Sequence, residues 1–291
     1  FFIGYAFAPR FTTKQKRILK GISLSLLVVL IIILATGLTR EVLFHIACFG
    51  SITFILFLIY VLCSVKKDGT ISRNDLLTGI FILAIGLLCT RSKYYGEAVM
   101  ALFMLTLYKP GTFRKISYKQ VLIALCVVGA VITVAWSKIS YYFLTGNSDT
   151  IDVDTIQTFA RPALYGGMFL ILLDYPLLGS GLASFATYAS SPSVNYSLVY
   201  AKYDLNLVFG LSEQYSEFIC DTFYASFAQY GLIGIGLFIY FFVWIFQKLR
   251  LVLHTEGKYV FAVGVLVIIY VLIENVGGTS FTQSGGLFSM M

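Results

Sequence analysis

Long apolar runs alternate along the chain with short polar segments that carry most of its basic residues. A helix needs about 20 apolar residues to cross the hydrocarbon core of a bilayer. By this measure the predicted spans are residues 21–38, 42–65, 76–90, 94–108, 120–144, 222–246 and 259–273. The third and fourth are short, so the two could form one broken hairpin. The pattern predicts an all-α, polytopic helical membrane protein with about seven spans in this chain.

The composition agrees with a membrane location. Apolar residues make up 58% of the chain and charged residues only 12%, whereas a soluble domain carries about 25% charged residues. So little charge cannot cover the surface of a globule of this size, which excludes a soluble enzyme, a disordered protein and a nucleic-acid-binding domain. The net charge of +7 therefore does not indicate a nucleic-acid partner, because the basic residues lie between apolar runs.

The basic residues also predict an orientation. If the first polar segment is cytoplasmic, 15 of the 21 lysines and arginines fall in cytoplasmic loops, as the positive-inside rule requires. This topology leaves one long extracytoplasmic loop, residues 145–221, in which we expect short helices. Within it the apolar run 163–173 is too short to span, and Pro176 shortly afterwards cannot continue a helix. Long loops on a rigid scaffold are where binding and catalysis concentrate.

The chain is predicted to be a single integral membrane domain, residues 1–291. It begins with apolar and aromatic residues that are followed by a basic stretch, the reverse of a signal peptide. We therefore expect a fragment that lacks earlier N-terminal spans. Its five cysteines are scattered, and no pattern of metal ligands occurs, so neither a disulfide framework nor a metal site is expected.

Three basic residues on the predicted outer side are candidate anion ligands. Arg91 and Lys93 flank a serine at the outer end of a span, and Arg161 is one of two basic residues in the acidic loop. Arginine offers a bidentate fork to phosphate and lysine a point charge. The alternative for Arg91 and Lys93 is interfacial snorkelling. The alternative for Arg161 is an ion pair with a loop carboxylate.

Carboxylates recur every four residues near the end of the loop, at Glu213, Glu217 and Asp221. On a helix they would share one face. Asp221 is the candidate general base at the membrane surface, with Glu217 second. The alternative is that Asp221 caps the next span. His45, inside a predicted span, is expected to be a packed histidine.

The segment Pro176–Phe185 reads P-L-L-G-S-G-L-A-S-F. Gly179 and Gly181 allow a backbone to approach a ligand or another helix closely, and with Pro176 they are expected to shape the loop. A tight turn on the membrane surface is the alternative.

Taken in order, these motifs resemble a known family. Arg161, the segment from Pro176, the sequence Asp221-Thr222-Phe223-Tyr224 and the sequence Gln229-Tyr230-Gly231-Leu232-Ile233-Gly234 are similar to the core of the O-antigen ligase and O-antigen polymerase superfamily. The sequence Thr90-Arg91-Ser92-Lys93 resembles the T-x-S-R element of that family. The resemblance covers about residues 90–236.

The resemblance implies an inverting glycosyltransferase that needs no cofactor or metal. Its substrate would be a glycan on undecaprenyl pyrophosphate, at the outer face of the bacterial inner membrane. Such an enzyme polymerises repeat units of lipopolysaccharide or capsule, beside chain-length regulator and flippase proteins. Arg91, Lys93 and Arg161 would bind pyrophosphate, and Asp221 or Glu217 would serve as the base.

Two departures from the family pattern bear on the activity. The fourth position of the T-x-S-R element is Lys93, and the variable position holds Arg91. The ligases carry a histidine ahead of the glycine turn, whereas the loop 145–221 contains none, which favours a polymerase. An O-antigen ligase that transfers polymer to lipid A core is the first alternative. A flippase or other transporter is the second, although polar residues gather at one face here rather than at the midplane.

Overall fold

The computed structural model describes residues 11–43, 45–108 and 160–279. These residues form helices joined by turns, with no β-strand among them, which confirms the all-helical prediction for this part of the chain. In chain order the α-helices are α1 (Thr13–Ala35), α2 (Thr39–Leu43), α3 (Ile46–Ser64), α4 (Arg73–Gly86), α5 (Ser92–Leu102), α6 (Ala160–Asp174), α7 (Leu198–Lys202), α8 (Gly231–Thr255) and α9 (Lys258–Glu274). Short helices of the 3-10 or π type are Leu87–Cys89, Phe103–Leu107, Tyr188–Ser190, Leu205–Leu207, Tyr224–Gln229 and Asn275–Gly277.

Four helical segments in the described residues are long and apolar enough to cross a membrane: Thr13–Ala35, Ile46–Ser64, Gly231–Thr255 and Lys258–Gly277. They match the predicted spans 21–38, 42–65, 222–246 and 259–273. The prediction of a helical membrane protein is therefore confirmed at this level. The span 120–144 lies outside the described residues, and a total of seven spans stays a prediction.

The boundaries of the first two spans follow from capping side chains. The Thr12 hydroxyl accepts the backbone N–H of Gln15, and the Gln15 side chain accepts the N–H of Thr12. This reciprocal pair starts α1 at Thr13, eight residues before the predicted apolar boundary. Similarly, α3 begins at Ile46 because Nδ1 of His45 accepts the N–H of Ala47. His45 was predicted to lie within a span, and this is wrong: it caps the helix and is exposed.

The predicted spans 76–90 and 94–108 form a tight helical hairpin of α4 and α5 with their short extensions. Neither helix reaches the length of the four spanning segments. The chain reverses at Thr90, whose φ of 52° is left-handed. The Tyr94 hydroxyl donates to the Leu83 carbonyl at 2.9 Å. Gly86 lies directly under the Tyr94 hydroxyl, where any Cβ would overlap it. This close approach determines the geometry of the turn that carries Arg91 and Lys93.

The last part of the fold differs from the predicted span 222–246 at its N-terminus. Residues Tyr224–Gln229 form a 3-10 helix, and α8 starts only at Gly231, which has φ of +63°. Hydrophobicity is continuous across this point, so the sequence pattern gave no boundary. The break arises because the backbone at Gly231 packs directly on the backbone of Leu177 and Gly179, where a Cβ cannot be accommodated.

By internal contacts the chain divides into two compact units. The first contains α1 to α5 and the segment Phe246–Tyr270, and its core surrounds α3, where Phe54 stacks on Tyr270 with ring centroids 5.4 Å apart. The second contains the described residues from 160 to Ile245 together with those from Val271 to Thr279. Its buried cluster includes Leu164, Ile171, Phe185, Tyr200, Leu211 and Ile219. Residues 160–221 of the predicted loop thus have an apolar core and short helices.

Substituting Gly231 with alanine is expected to destabilise the second unit. A non-glycine residue in the left-handed region costs roughly 1–2 kcal/mol, and the new Cβ would also overlap the Leu177 carbonyl oxygen. We therefore expect the midpoint of thermal unfolding in detergent to fall. Gly236→Ala is the matched control in the same helix, because no atom lies within 4 Å of an added Cβ there. Equal midpoints for both variants would contradict the close-packing argument.

Candidate functional site

Helix α6 presents the first candidate residue in its first turn. Arg161 is followed by Pro162, a residue well suited to a helix start because its missing N–H needs no partner there. The helix ends at Asp174, just before Tyr175-Pro176, as the sequence predicted. Its inner face packs into the core through Ala163, Leu164, Gly167, Met168 and Ile171. This packing fixes the helix and therefore the position of Arg161.

Arg161 and Asp221 form an ion pair across 60 positions of sequence. Nη2 of Arg161 donates to Oδ1 of Asp221 at 3.0 Å, and Nε lies against Oδ2. Nε is poorly aligned for a hydrogen bond although it is in ionic contact. The two side chains are 39% and 25% exposed. The guanidinium fork is thus paired with Asp221 and is partly open to solvent.

Tyr165 supports this pair from one turn further along α6. Its hydroxyl donates to the Val276 carbonyl at 3.0 Å and lies 2.8 Å from the Thr222 hydroxyl. A phenol has one proton, so the Thr222 hydroxyl donates to the Tyr165 oxygen. Burial raises the pKa of Tyr165 and is partly offset by the hydrogen bond from Thr222 and by the charge of Arg161. Tyr165 therefore stays protonated and acts as a fixed link.

The backbone after Asp221 is anchored on the end of the last helix. Thr222 is fully buried. The N–H of Phe223 donates to the Gly278 carbonyl at 2.9 Å and to the Asn275 carbonyl at 3.2 Å, and the Tyr224 hydroxyl donates to the Leu272 carbonyl at 2.7 Å. These bonds preorganise the Asp221 carboxylate, since its neighbours cannot shift without breaking them.

The structure shows neither a shared helical face for the three carboxylates nor a capping role for Asp221. Glu213, Glu217 and Asp221 do not share a helical face, because residues 208–223 form consecutive turns rather than a helix. Gly210, at φ +86°, turns the chain, and Phe218 donates its N–H to the Gly210 carbonyl at 3.0 Å. Asp221 also does not cap a span, since α8 begins ten residues later.

The second candidate base lies apart from the ion pair. Glu217 is exposed, and in the part of the chain that the structure describes its side chain makes no hydrogen bond or ion pair. The structure therefore brings together Arg161 and Asp221 but not Glu217. Arg161 thus forms an ion pair with a loop carboxylate, which was the alternative for this residue, and its partner Asp221 is also the candidate base.

The glycine turn joins α6 to α8 by backbone hydrogen bonds. The N–H groups of Leu232 and Ile233 donate to the carbonyls of Pro176 and Leu177 at 2.8 and 3.2 Å. In return, the N–H of Ser180 donates to the Ala228 carbonyl at 2.9 Å, and the N–H of Gly181 to the Gln229 carbonyl at 3.3 Å. Pro176, Gly179 and Gly181 thus lie in a turn that satisfies the first amides of α8.

Gly179 and Gly181 have φ of +73° and +97°. A Cβ at Gly179 would overlap the backbone of Ala228 and Gln229, whereas a Cβ at Gly181 would meet no atom within 4 Å. The close backbone approach that the sequence suggested is therefore to another helix start, and it requires a glycine at position 179 for space as well as for conformation.

The other candidate cations lie in the first unit, at the turn between α4 and α5. Arg91 Nη2 lies 2.9 Å from Nε2 of His45. Nδ1 of His45 also accepts the N–H of Ala47 at 3.0 Å, so both ring nitrogens are in polar contact. Desolvation and the charge of Arg91 both lower the pKa of His45, so the ring is neutral at physiological pH.

Lys93 lies two residues after Arg91, in the first turn of α5, and is half-buried. The sequence prediction placed Arg91 and Lys93 here but missed His45. The signal that could have found it is an isolated histidine just before a strongly apolar run, a frequent position for a polar helix cap.

Tyr165 and Thr222 were also missed. Tyr165 follows Arg161 by four residues on a helix, so the same-face rule could have linked them. Thr222 could not have been found, because only the fold brings it to Tyr165. Among the described residues no cluster of three or more histidine, cysteine or carboxylate side chains could hold a metal ion.

Two comparisons of the sequence with known proteins found no match. No model of a known protein family matches the chain, and no curated protein is significantly similar to it.

Proposed function

We propose that this protein is a membrane glycosyltransferase that polymerises oligosaccharide repeat units carried on undecaprenyl pyrophosphate. The resemblance of its motifs to O-antigen polymerases supports this proposal. The observation that carries it furthest is the Arg161–Asp221 pair: a phosphate-binding fork and a carboxylate base held together on preorganised backbone.

The reaction needs both members of the pair. The acceptor hydroxyl oxygen attacks the anomeric carbon of the donor sugar, and the bond from that carbon to the pyrophosphate oxygen breaks with its electron pair. The hydroxyl proton passes to Asp221. The carrier pyrophosphate leaves from the opposite face, so the configuration inverts. Negative charge grows on the leaving group, and a fixed guanidinium stabilises that transition state more than the ground state.

The geometry adds a step that couples binding to catalysis. Arg161 contacts both carboxylate oxygens of Asp221, and an oxygen that accepts from the guanidinium has fewer lone pairs left for an acceptor hydroxyl. A pyrophosphate oxygen competes for the same fork, because arginine binds phosphate and carboxylate in the same bidentate manner. Binding of the donor would thus draw Arg161 away and release Asp221 to accept a proton. The partial exposure of the pair makes this exchange possible.

A polymerase is favoured over a ligase because neither histidine of the chain lies in the loop 145–221. We place the protein in the bacterial inner membrane with the Arg161–Asp221 pair facing the periplasm or the cell exterior, as the distribution of basic residues indicates. Chain-length regulator and flippase proteins would be its partners, and no metal or other cofactor is invoked in the proposed reaction.

Purified protein in detergent, supplied with lipid-linked repeat units alone, is expected to convert them into a ladder of longer lipid-linked chains. The product is read by gel electrophoresis, without an ion gradient or an added nucleotide. A transporter would leave the repeat units unchanged, and a ligase would add sugar only when a lipid A core acceptor is supplied. Either result would contradict the proposal.

A further inference from the structure

Four leucines around the glycine turn are largely exposed in the part of the chain that the structure describes. Leu173, Leu177, Leu178 and Leu182 are 78%, 64%, 72% and 78% exposed. We refer to residues 173–182 as the leucine loop. Four large apolar side chains exposed within ten residues are unusual for a surface in contact with water and indicate an interaction site.

The hydrogen bonds of the leucine loop tie its depth to that of a membrane span. The first turn of α8 donates two N–H groups to the loop carbonyls of Pro176 and Leu177. The side chains of Leu232 and Ile233 in that turn are also exposed, at 56% and 50% respectively. Whatever environment surrounds the first turn of α8 therefore also surrounds the leucine loop.

The length of α8 places that first turn within the hydrocarbon. Residues 231–246 contain no charged side chain, and Gln247 and Lys248 follow. These 16 residues span about 24 Å as a helix, whereas the hydrocarbon core is about 30 Å thick. The first turn of α8 therefore lies within the hydrocarbon when the helix crosses the bilayer, and the uncharged sequence continues from it back to Thr222. None of the most apolar stretch of α8 is buried by protein.

Several backbone polar groups of the leucine loop have hydrogen-bond partners within the protein. Irregular backbone is tolerated at membrane depth only where its polar groups are satisfied. Here the N–H groups of Gly179, Ser180 and Gly181 donate to the carbonyls of Tyr175, Ala228 and Gln229. The carbonyls of Pro176 and Leu177 accept from α8. These groups therefore keep their hydrogen-bond partners when the loop enters an apolar phase.

A polar cluster marks the boundary with water. Lys202 lies 2.7 Å from an Asp174 oxygen and 4.7 Å from the centre of the Tyr175 ring, and the Tyr203 hydroxyl donates to the same carboxylate at 2.7 Å. Tyrosine and lysine concentrate at the headgroup level of membranes. Asp174 and Tyr175 lie within the leucine loop, between Leu173 at the end of α6 and Pro176, so the cluster places the headgroup level at the N-terminal end of the loop.

We propose that the leucine loop is a membrane anchor, whose leucine side chains insert among the acyl chains of the leaflet that surrounds the start of α8. The anchor holds the second unit at a fixed depth and is independent of the glycosyltransferase proposal. The occupant is bilayer lipid rather than a second protein copy, because the loop continues the exposed apolar surface of a spanning helix.

Tryptophan depth measurements test the proposal on the full chain. Both native tryptophans are replaced, as Trp136→Phe and Trp244→Phe, and one tryptophan is introduced as Leu178→Trp. The matched control is Asn195→Trp, an exposed polar position of the same unit. The proteins are reconstituted in phosphatidylcholine and phosphatidylglycerol vesicles that contain no polyprenyl lipid.

We expect brominated acyl chains to quench the tryptophan at position 178 strongly and aqueous acrylamide to quench it weakly, with the opposite pattern at position 195. Strong acrylamide quenching at 178 would overturn the anchor, because it would place the loop in water. Weak quenching by both reagents would overturn it too, because protein would then cover the loop. Leu177→Trp repeats the measurement should Leu178→Trp fold poorly.

Discussion

Replacing Arg161 with alanine is expected to lower the rate of polymer growth about 100-fold, which corresponds to about 3 kcal/mol of lost transition-state stabilisation. The reason is that the pyrophosphate leaving group would lose its bidentate cation. The amount of protein in the membrane should change little, because a partly exposed ion pair contributes at most about 1 kcal/mol to stability. Chain length and rate are measured on purified protein with lipid-linked repeat units.

Arg161→Lys separates charge from geometry. Lysine keeps the positive charge but cannot offer two parallel N–H donors, so we expect little recovery over Arg161→Ala. Full activity in Arg161→Lys would show that charge alone is needed. Wild-type activity in Arg161→Ala would reduce Arg161 to a surface ion-pair partner.

Replacing Asp221 with asparagine is expected to lower polymer growth by about 100-fold or more, the usual scale of general base catalysis. Asparagine retains an oxygen that can accept from Arg161, so the local geometry is largely kept, but it cannot take the proton of the acceptor hydroxyl. Protein level and thermal unfolding midpoint serve as controls. An active Asp221→Asn protein would exclude Asp221 as the base, and Glu217 would become the next residue to test.

A charge swap distinguishes a structural pair from a catalytic one. In the double variant Arg161→Asp/Asp221→Arg an ion pair can still form, but the fork and the base exchange places. We expect normal protein levels with activity as low as in the single variants. The matched swap is Asp174→Lys/Lys202→Asp, an exposed pair in the same unit, which should leave activity near the wild-type value. Recovery of activity in the first swap would mean that the pair only stabilises the fold.

The four long apolar helices could be located from the sequence because the interior of a bilayer is apolar throughout, so every residue of a span meets the same requirement. A run such as residues 46–64 must bury its backbone hydrogen bonds within itself, so hydrophobicity alone located it. The helix starts were less accessible. Thr12 and His45 act through one side-chain hydrogen bond each, a signal too local to appear in an average over many residues.

The start of α8 shows why hydrophobicity failed there. Residues 222–246 are apolar almost throughout, yet the helix is interrupted at Gly231. The interruption is caused by the backbone of Leu177 and Gly179, more than 50 positions earlier. A contact between distant segments does not change the hydrophobic periodicity of either one. The glycines at positions 179 and 231 were consistent with a close backbone approach but did not identify the partner.

By itself the sequence determined the helical, membrane-spanning character of the described chain and supplied the short set of charged residues from which a site could be built. Only the tertiary structure decided that Arg161 meets Asp221, that Glu217 lies apart, that Tyr165 joins Thr222 and that Arg91 faces His45. The physical reason is that partition into lipid depends on local composition, whereas an ion pair depends on where packing carries two side chains. Burial of Leu164 and Ile171 in the core of the second unit positions α6, and with it the arginine that meets the carboxylate.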